Sequence, residues 1–258
     1  ERSRGLGDVY KRQYRWFVGA HGRIEAELPA AEAWHPRVRL PRRLMLEKYQ
    51  RPVAGKTVEH EIEIKRSRFI TLIGRVTDED EARAFIDSAR DRFPDARHHC
   101  SAYIYHVDAA NPVERSSDDG EPSGTAGKPM LDVLKGSGLL DICAVVVRYF
   151  GGIKLGAGGL VHAYGGAVSE TMEQVTAVTR ALRELYTLEV SHADAGRLEA
   201  DLRNRGVDIV DTAYGQAVMF TVSVAPGGEE ELTATLAALT QGEVAPNEAG
   251  TAWVELSG

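Results

Sequence analysis

The stretch "LLDICAVVVRYFGGIKLGAGGLVHAYGGAVSETMEQV", residues 139–175, holds a strand, a loop and a helix in one run. Its first twelve residues are nearly all apolar and rich in β-branched side chains, the pattern of a strand buried on both faces. The strand should end near Phe150, where Gly151 and Gly152 follow. Beyond Gly156, the residues Leu160, Tyr164, Val168, Met172 and Val175 fall on one helical stripe. Gly158, Gly159, Gly165 and Gly166 lie inside that helix. An interior helix glycine costs about 1 kcal/mol relative to Ala, so four of them predict close packing against a neighbour.

Upstream, "VEHEIEIK" alternates and "SRFITLIGRV" follows, which predicts an antiparallel pair with order beginning near Val58. "TDEDEARAFIDSARDRF" reads as a helix capped by Thr77 or Asp78, with Phe85, Ile86, Ala89 and Phe93 on one face. "CSAYIYHV" is a strand. The loop "SSDDGEPSGTAGKP" (116–129) follows, then a short helix starting near Gly127 that Ser123 or Thr125 can cap. Downstream, "RELYTLEV", "ADAGRLEADLRNRG", "VDIVDTAYG", "QAVMFTVSV", "GGEEELTATLAALTQG" and "EVAPNEAGTAWVEL" read βαββαβ, the split-βαβ, ferredoxin-like order. The expectation is an α+β chain of two domains, 57–180 and 181–258.

Composition narrows the function. The net charge of −7 argues against a protein that coats nucleic acid with its whole surface. The charge is uneven: residues 1–52 carry +6 and residues 53–258 carry −13. Residues 1–56 read as a basic leader without periodicity, beginning with Glu rather than Met, and are expected to be disordered or foreign. No apolar run is long enough for a transmembrane helix, and no secretory signal segment is visible. Cys100 and Cys143 sit in apolar strands, as buried free thiols in a reducing cytoplasm would.

Two stretches carry candidate chemistry. In "DDGEPSGTAGKP" the phosphate-loop spacing fails, because Pro122 replaces the first glycine and Pro129 the hydroxyl residue. Asp118, Asp119 and Glu121 remain, either as oxygen ligands for Mg²⁺ or as partners for a cation. In "RYFGGIKLGAGG", Arg148 offers a planar fork for phosphate or carboxylate, and Tyr149 and Phe150 offer faces for a stacked base. Gly151 and Gly152 would let a ligand approach, Lys154 adds charge, and Gly156 opens a helix whose N-terminus favours anions. A structural alternative is that Arg148 pairs with one of the three acids and the aromatics are core.

These residues resemble the YigZ/IMPACT family. "DDGEPSGTAGKPML" and "VVVRYFGGIKLGAGGLVHAY" carry the likeness, with "KRSRFI" (65–70) and "HHCSAYIY" (98–105), and it spans residues 57–256. The resemblance implies a first domain similar to the second domain of a small-subunit ribosomal protein. It also implies a second domain like the ferredoxin-like C-terminal domain of elongation factor G. Eukaryotic members are linked to translational control through an extra N-terminal domain, which the leader here is too short to supply.

The resulting expectation is a cytoplasmic, non-enzymatic binding protein of the two-domain bacterial type, contacting RNA or a ribosome-associated partner, without membrane, metal or cofactor. Its ligand site would comprise Arg148, Tyr149, Phe150, Gly151, Gly152, Lys154 and Gly156 on one loop. The facing loop would supply Asp118, Asp119, Gly120, Glu121, Thr125 and Gly127. Two alternatives stand beside it: a Mg²⁺-assisted hydrolase or phosphotransferase on the acidic loop, with His98 as base, and a protein-docking module using the free face of the C-terminal sheet.

Overall fold

The computed structural model describes residues 47–256. The first half runs β1 (Lys48–Pro52), β2 (Val58–Ile64), β3 (Ser67–Arg75), α1 (Glu79–Arg92), β4 (His98–Tyr105), β5 (Val113–Ser117), α2 (Gly127–Ser137), β6 (Ile142–Tyr149) and α3 (Gly156–Met172). The second half runs β7 (Ala177–Val190), α4 (Ala195–Asn204), β8 (Asp208–Tyr214), β9 (Val218–Val224), α5 (Glu229–Thr240) and β10 (Asn247–Glu255).

The first sheet has the order β2-β3-β6-β4-β5, with every neighbouring pair antiparallel. Its centre is β6, and burial of both alternating faces explains why β6 is apolar from Ile142 to Val147. Ile142, Ala144 and Val146 face a core built with Met130 and Leu134 of α2 and Tyr164 and Val168 of α3. Cys143, Val145 and Val147 face the other way, onto Ala82, Ile86 and Ala89 of α1. Helices therefore cover both faces. Asp78 caps α1 as expected, accepting from the Glu81 N–H at 2.8 Å. Both cysteines are free and buried.

The second sheet is organised on the long strand β7. β1 and then β9 pair along one of its edges, β10 pairs along the other, and β8 lies outside β9. The order β10-β7-β9-β8 with α4 and α5 is the split-βαβ arrangement expected from the sequence. The helices bury Tyr186, Leu188, Val190, Phe220 and Val222 with Leu198, Leu202, Leu232 and Leu236. Leu185, Thr187 and Thr221 alternate onto the other face.

Three expectations change. Described order begins before Val58: β1 lies inside the expected leader and pairs with β7, with Tyr49 and Arg51 buried. Residues 1–46 of the leader lie outside the described residues. A fifth strand, β5, occupies residues assigned to loop. The helix-interior glycines of α3 do not mark close packing all round. A Cβ at Gly158 or Gly166 would meet nothing within 4 Å, and one at Gly165 would make only ordinary contact with Pro129 and Val133.

Candidate functional site

The C-terminal end of β6 and the N-terminal end of β4 lie side by side, with Arg148 opposite His98 in the register. Above them the chain forms a cleft of about 620 Å³ lined by Arg97, His98, Arg148, Phe150, Lys154 and Gly156, among others. Asp95 and Glu121 also line it. The cleft brings together residues of the two sequence stretches, but the Arg148 guanidinium is buried against Glu121 and does not stand open at the mouth.

Arg148 forms the floor. Its side chain is 8% exposed, and Nη1 donates to Glu121 Oε1 at 2.6 Å. The same oxygen accepts from the Tyr164 hydroxyl at 2.8 Å. Burial pushes the Tyr164 hydroxyl far above its usual range, with Cys100 and Glu121 adding to the shift, so it acts as a fixed donor. The Arg148 guanidinium lies between the Phe69 ring at 5.5 Å and the Phe150 ring at 5.6 Å. Its Nε is buried without a hydrogen-bond partner. Arg148 is thus held from one side by Glu121 and from two others by aromatic faces, rather than extended into solvent.

The aromatics separate by strand alternation. Tyr149 packs its ring toward the α1 side, with Arg68 over it at 5.4 Å. Phe150, beyond the strand end, is 57% exposed at the cleft rim. Tyr149 also lines the cleft but is half-buried with Arg68 over its ring, so Phe150 offers the more exposed aromatic face. Lys154 is exposed at the same rim. The N-cap of α3, Leu155, has no side-chain capping bond, so the first N–H groups of a seventeen-residue helix border the cleft with positive dipole.

The glycines also differ from expectation. A Cβ at Gly151 would lie 2.0 Å from the Arg66 carbonyl, so this glycine seats the loop on the β2–β3 turn instead of admitting a ligand. Gly127 likewise packs on the Ser117 backbone, at 2.8 Å. Gly120, Gly152 and Gly156 have positive φ, and Gly152 and Gly156 have open space about them.

The three carboxylates point apart. Asp118 accepts from the N–H groups of Gly124, Ala126 and Gly127 at 2.7, 3.0 and 2.8 Å, capping α2 from nine residues away. Ser123 and Thr125 do not cap α2; the Thr125 hydroxyl donates to the Pro122 carbonyl. Burial raises the Asp118 carboxyl, but the three N–H donors outweigh it and hold it below its usual value. Asp119 accepts from the His99 N–H at 2.7 Å and pairs with Arg90. Glu121 alone meets Arg148. Among the described residues no three His, Cys, Asp or Glu converge as a metal-binding set, and the hydrolase reading loses its acidic cluster. His98, its candidate base, bonds through Nδ1 to the Asp119 carbonyl at 2.9 Å. Cys100 donates to the Asp118 carbonyl, and burial pushes its thiol up to about 12.

Two family models match this chain. The Impact N-terminal domain covers residues 65–172 and Domain of unknown function (DUF1949) covers residues 188–243. IMPACT family member YigZ of Escherichia coli is 41% identical over 199 residues, spanning 77% of this chain and 97% of the relative. The chain belongs to the IMPACT family. IMPACT family member YvyE of Bacillus subtilis is 42% identical, over 72% of this chain and 84% of the relative. A solved structure titled as the crystal structure of an hypothetical protein superposes with a TM-score of 0.53 at 40% identity, over 78% of this chain and 97% of that one. All the residues that line the cleft of this IMPACT family member fall within the Impact N-terminal match. No described helix is long and apolar enough to cross a membrane.

Proposed function

We propose that this IMPACT family member is a non-enzymatic binding protein of the translation machinery, and that its cleft takes a nucleotide of single-stranded RNA. The observation that carries the reading is Phe150: a large aromatic face, 57% exposed, set beside a buried guanidinium at the mouth of an open cleft. A base stacks on Phe150, and the phosphate meets Lys154, Arg97 and the N-terminus of α3. Arg148 acts here as a positioning residue. Glu121 and Tyr164 fix it, and its cation–π contact holds the Phe150 ring.

Fluorescence anisotropy with a labelled trinucleotide RNA tests the reading. Base–aromatic stacking is worth about 1–3 kcal/mol, so Phe150→Ala should weaken binding by roughly five- to 150-fold. Lys154→Ala should also weaken it and flatten the salt dependence. Unchanged affinity in the Phe150→Ala, Lys154→Ala double variant refutes the assignment.

A further inference from the structure

A base stacked on Phe150 turns its edges sideways, so the groups that read it must come from another wall of the cleft. The chain entering β4 supplies that wall. β4 and β6 run antiparallel and side by side, so the residues before β4 and those after β6 flank one opening. The β6 side contributes Phe150, Lys154 and Gly156, and the β4 side contributes Asp95, Arg97 and His98.

Asp95 is the anomaly on this wall. It is exposed, and among the described residues its side chain enters no ion pair or hydrogen bond. The other carboxylate of the cleft, Glu121, is taken up by Arg148 and Tyr164. An unengaged carboxylate repels phosphate, so in a cleft for RNA it costs affinity unless the ligand brings it a donor.

His98 stands beside it as a second acceptor. Its Nδ1 lies 2.9 Å from the Asp119 carbonyl. A carbonyl only accepts, so Nδ1 carries the proton, and in the neutral ring Nε2 is left as an acceptor. Gly120 backs the ring closely: a Cβ there would lie 3.4 Å from Nδ1. The β4 wall therefore presents two carboxylate oxygens and an imidazole nitrogen to the edge of a base.

Among the RNA bases, guanine answers such a wall. Its N1–H and N2–H groups stand side by side on the Watson–Crick edge. Two parallel N–H···O bonds can run from them to one carboxylate, as they do from an arginine fork. Adenine and cytosine each set a ring-nitrogen acceptor beside the amino donor, and uracil flanks its N3–H with two carbonyls. Each would bring a lone pair against a carboxylate oxygen and gain one bond at most.

We infer that the cleft selects guanine, and that Asp95 is the specificity-determining residue, accepting from N1–H and N2–H of the base stacked on Phe150. This rests on the reading of the cleft as a site for single-stranded RNA. Arg97 and Lys154 stay with the phosphate. Asp95 supplies discrimination rather than affinity, because only guanine offsets its repulsion of the RNA backbone.

Fluorescence anisotropy on the full chain tests this with labelled trinucleotide RNAs UGU, UAU, UCU and UUU. A fifth probe, UIU, carries inosine, which keeps N1–H and lacks the N2 amino group. A bidentate contact to a base edge discriminates by about five- to 150-fold. The parent should prefer UGU to UAU, UCU and UUU by that factor, and UIU should lose most of the preference. Asp95→Asn replaces one acceptor with a donor at constant shape. It should bind UGU no better than the other trinucleotides, and should bind those others at least as tightly as the parent does. The Asp95 side chain holds no other part of the fold, and matching thermal melts establish that the variant is folded. If the parent binds all the trinucleotides alike, the inference is overturned and the cleft reading stands. The inference is also overturned if the guanine preference survives Asp95→Asn, or if UIU binds as tightly as UGU. If the parent binds none of the RNAs, the cleft reading fails and the inference falls with it.

Discussion

Asp118, Asp119 and Glu121 stand within four positions yet serve three unrelated ends, because the backbone turns between them. Asp119 and Gly120 both take positive φ, +41° and +85°, so successive side chains diverge and no shared cation site forms. Asp118 alone caps α2, and its carboxyl is held below the usual value by N–H donors that outweigh burial. A depressed folded value means that the stabilisation is complete above the unfolded value and is lost as pH falls through the folded one. Asp118→Ala should therefore cost about 0.5–2 kcal/mol at neutral pH, and the gap between parent and variant should close as pH drops below about 4. Urea melts at pH 7 and pH 2.5 measure this. A gap of the same size at both pH values would show that packing, not charge, accounts for the loss. The role of Asp118 was hidden in the sequence because its cap reaches across a turn rather than standing next to the helix. Glu121 was named as one of three partners for Arg148, and only coordinates could choose among them.

At the scale of elements, the glycine-rich segment from Gly151 to Gly166 divides into positions that contact backbone and positions that contact nothing. A methyl group at Gly151 would collide with the Arg66 carbonyl, where the β2–β3 turn passes. Gly166 faces open space inside α3. Gly151→Ala should destabilise by about 1–3 kcal/mol or more, whereas Gly166→Ala should stabilise by about 0.5–1 kcal/mol. Thermal melts of the two variants should shift in opposite directions, and a loss in Gly166→Ala would point to a contact that the structure does not contain. Elements whose residues agree with a local period were legible in the sequence: the β2–β3 pair, α1 with its Asp78 cap, the largely apolar β6, and the βαββαβ order. The elements that escaped were two five-residue strands. "KYQRP" is β1, which takes its order from β7, more than 120 residues later. "VERSS" is β5, a polar edge strand with no buried stripe to announce it. Alternation at the end of β6 was likewise readable, but that Phe150 would be more exposed than Tyr149 depended on how Arg68 and α1 pack around the Tyr149 ring.

For the whole molecule, the decisive residue is Asp141, which lies just before β6 and is 1% exposed at a φ of +54°. Its carboxylate accepts from the Tyr49 hydroxyl at 2.7 Å and Arg51 Nη1 at 3.0 Å, both on β1, and from the His106 N–H at 3.0 Å. Arg180 of β7 stands 3.7 Å away. Burial, reinforced by this carboxylate, pushes the Tyr49 hydroxyl up to about 12, so it stays a donor at any ordinary pH. Arg51 also binds Glu255 of β10, which Arg75 of β3 shares. One carboxylate of the first sheet thus gathers groups from two strands of the second. Removing it leaves the buried Arg51 short of a partner, and losing one member of a buried pair costs about 3–5 kcal/mol. Asp141→Ala should incur that loss together with backbone strain, since Ala does not favour positive φ. Asp141→Asn keeps an acceptor and tolerates the left-handed backbone, so it should lose less. The more telling consequence concerns cooperativity. In the parent, the slowest-exchanging amides of β6 and of β7 should open with one free energy, as parts of a single unit. In Asp141→Ala the β7 and β9 amides should open at a lower free energy than those of β6, and calorimetric unfolding should broaden toward two steps. Native-state hydrogen exchange reads this directly. An equal drop on both sheets would mean that β1 pairing and apolar contact, rather than the Asp141 network, join the two halves of the chain.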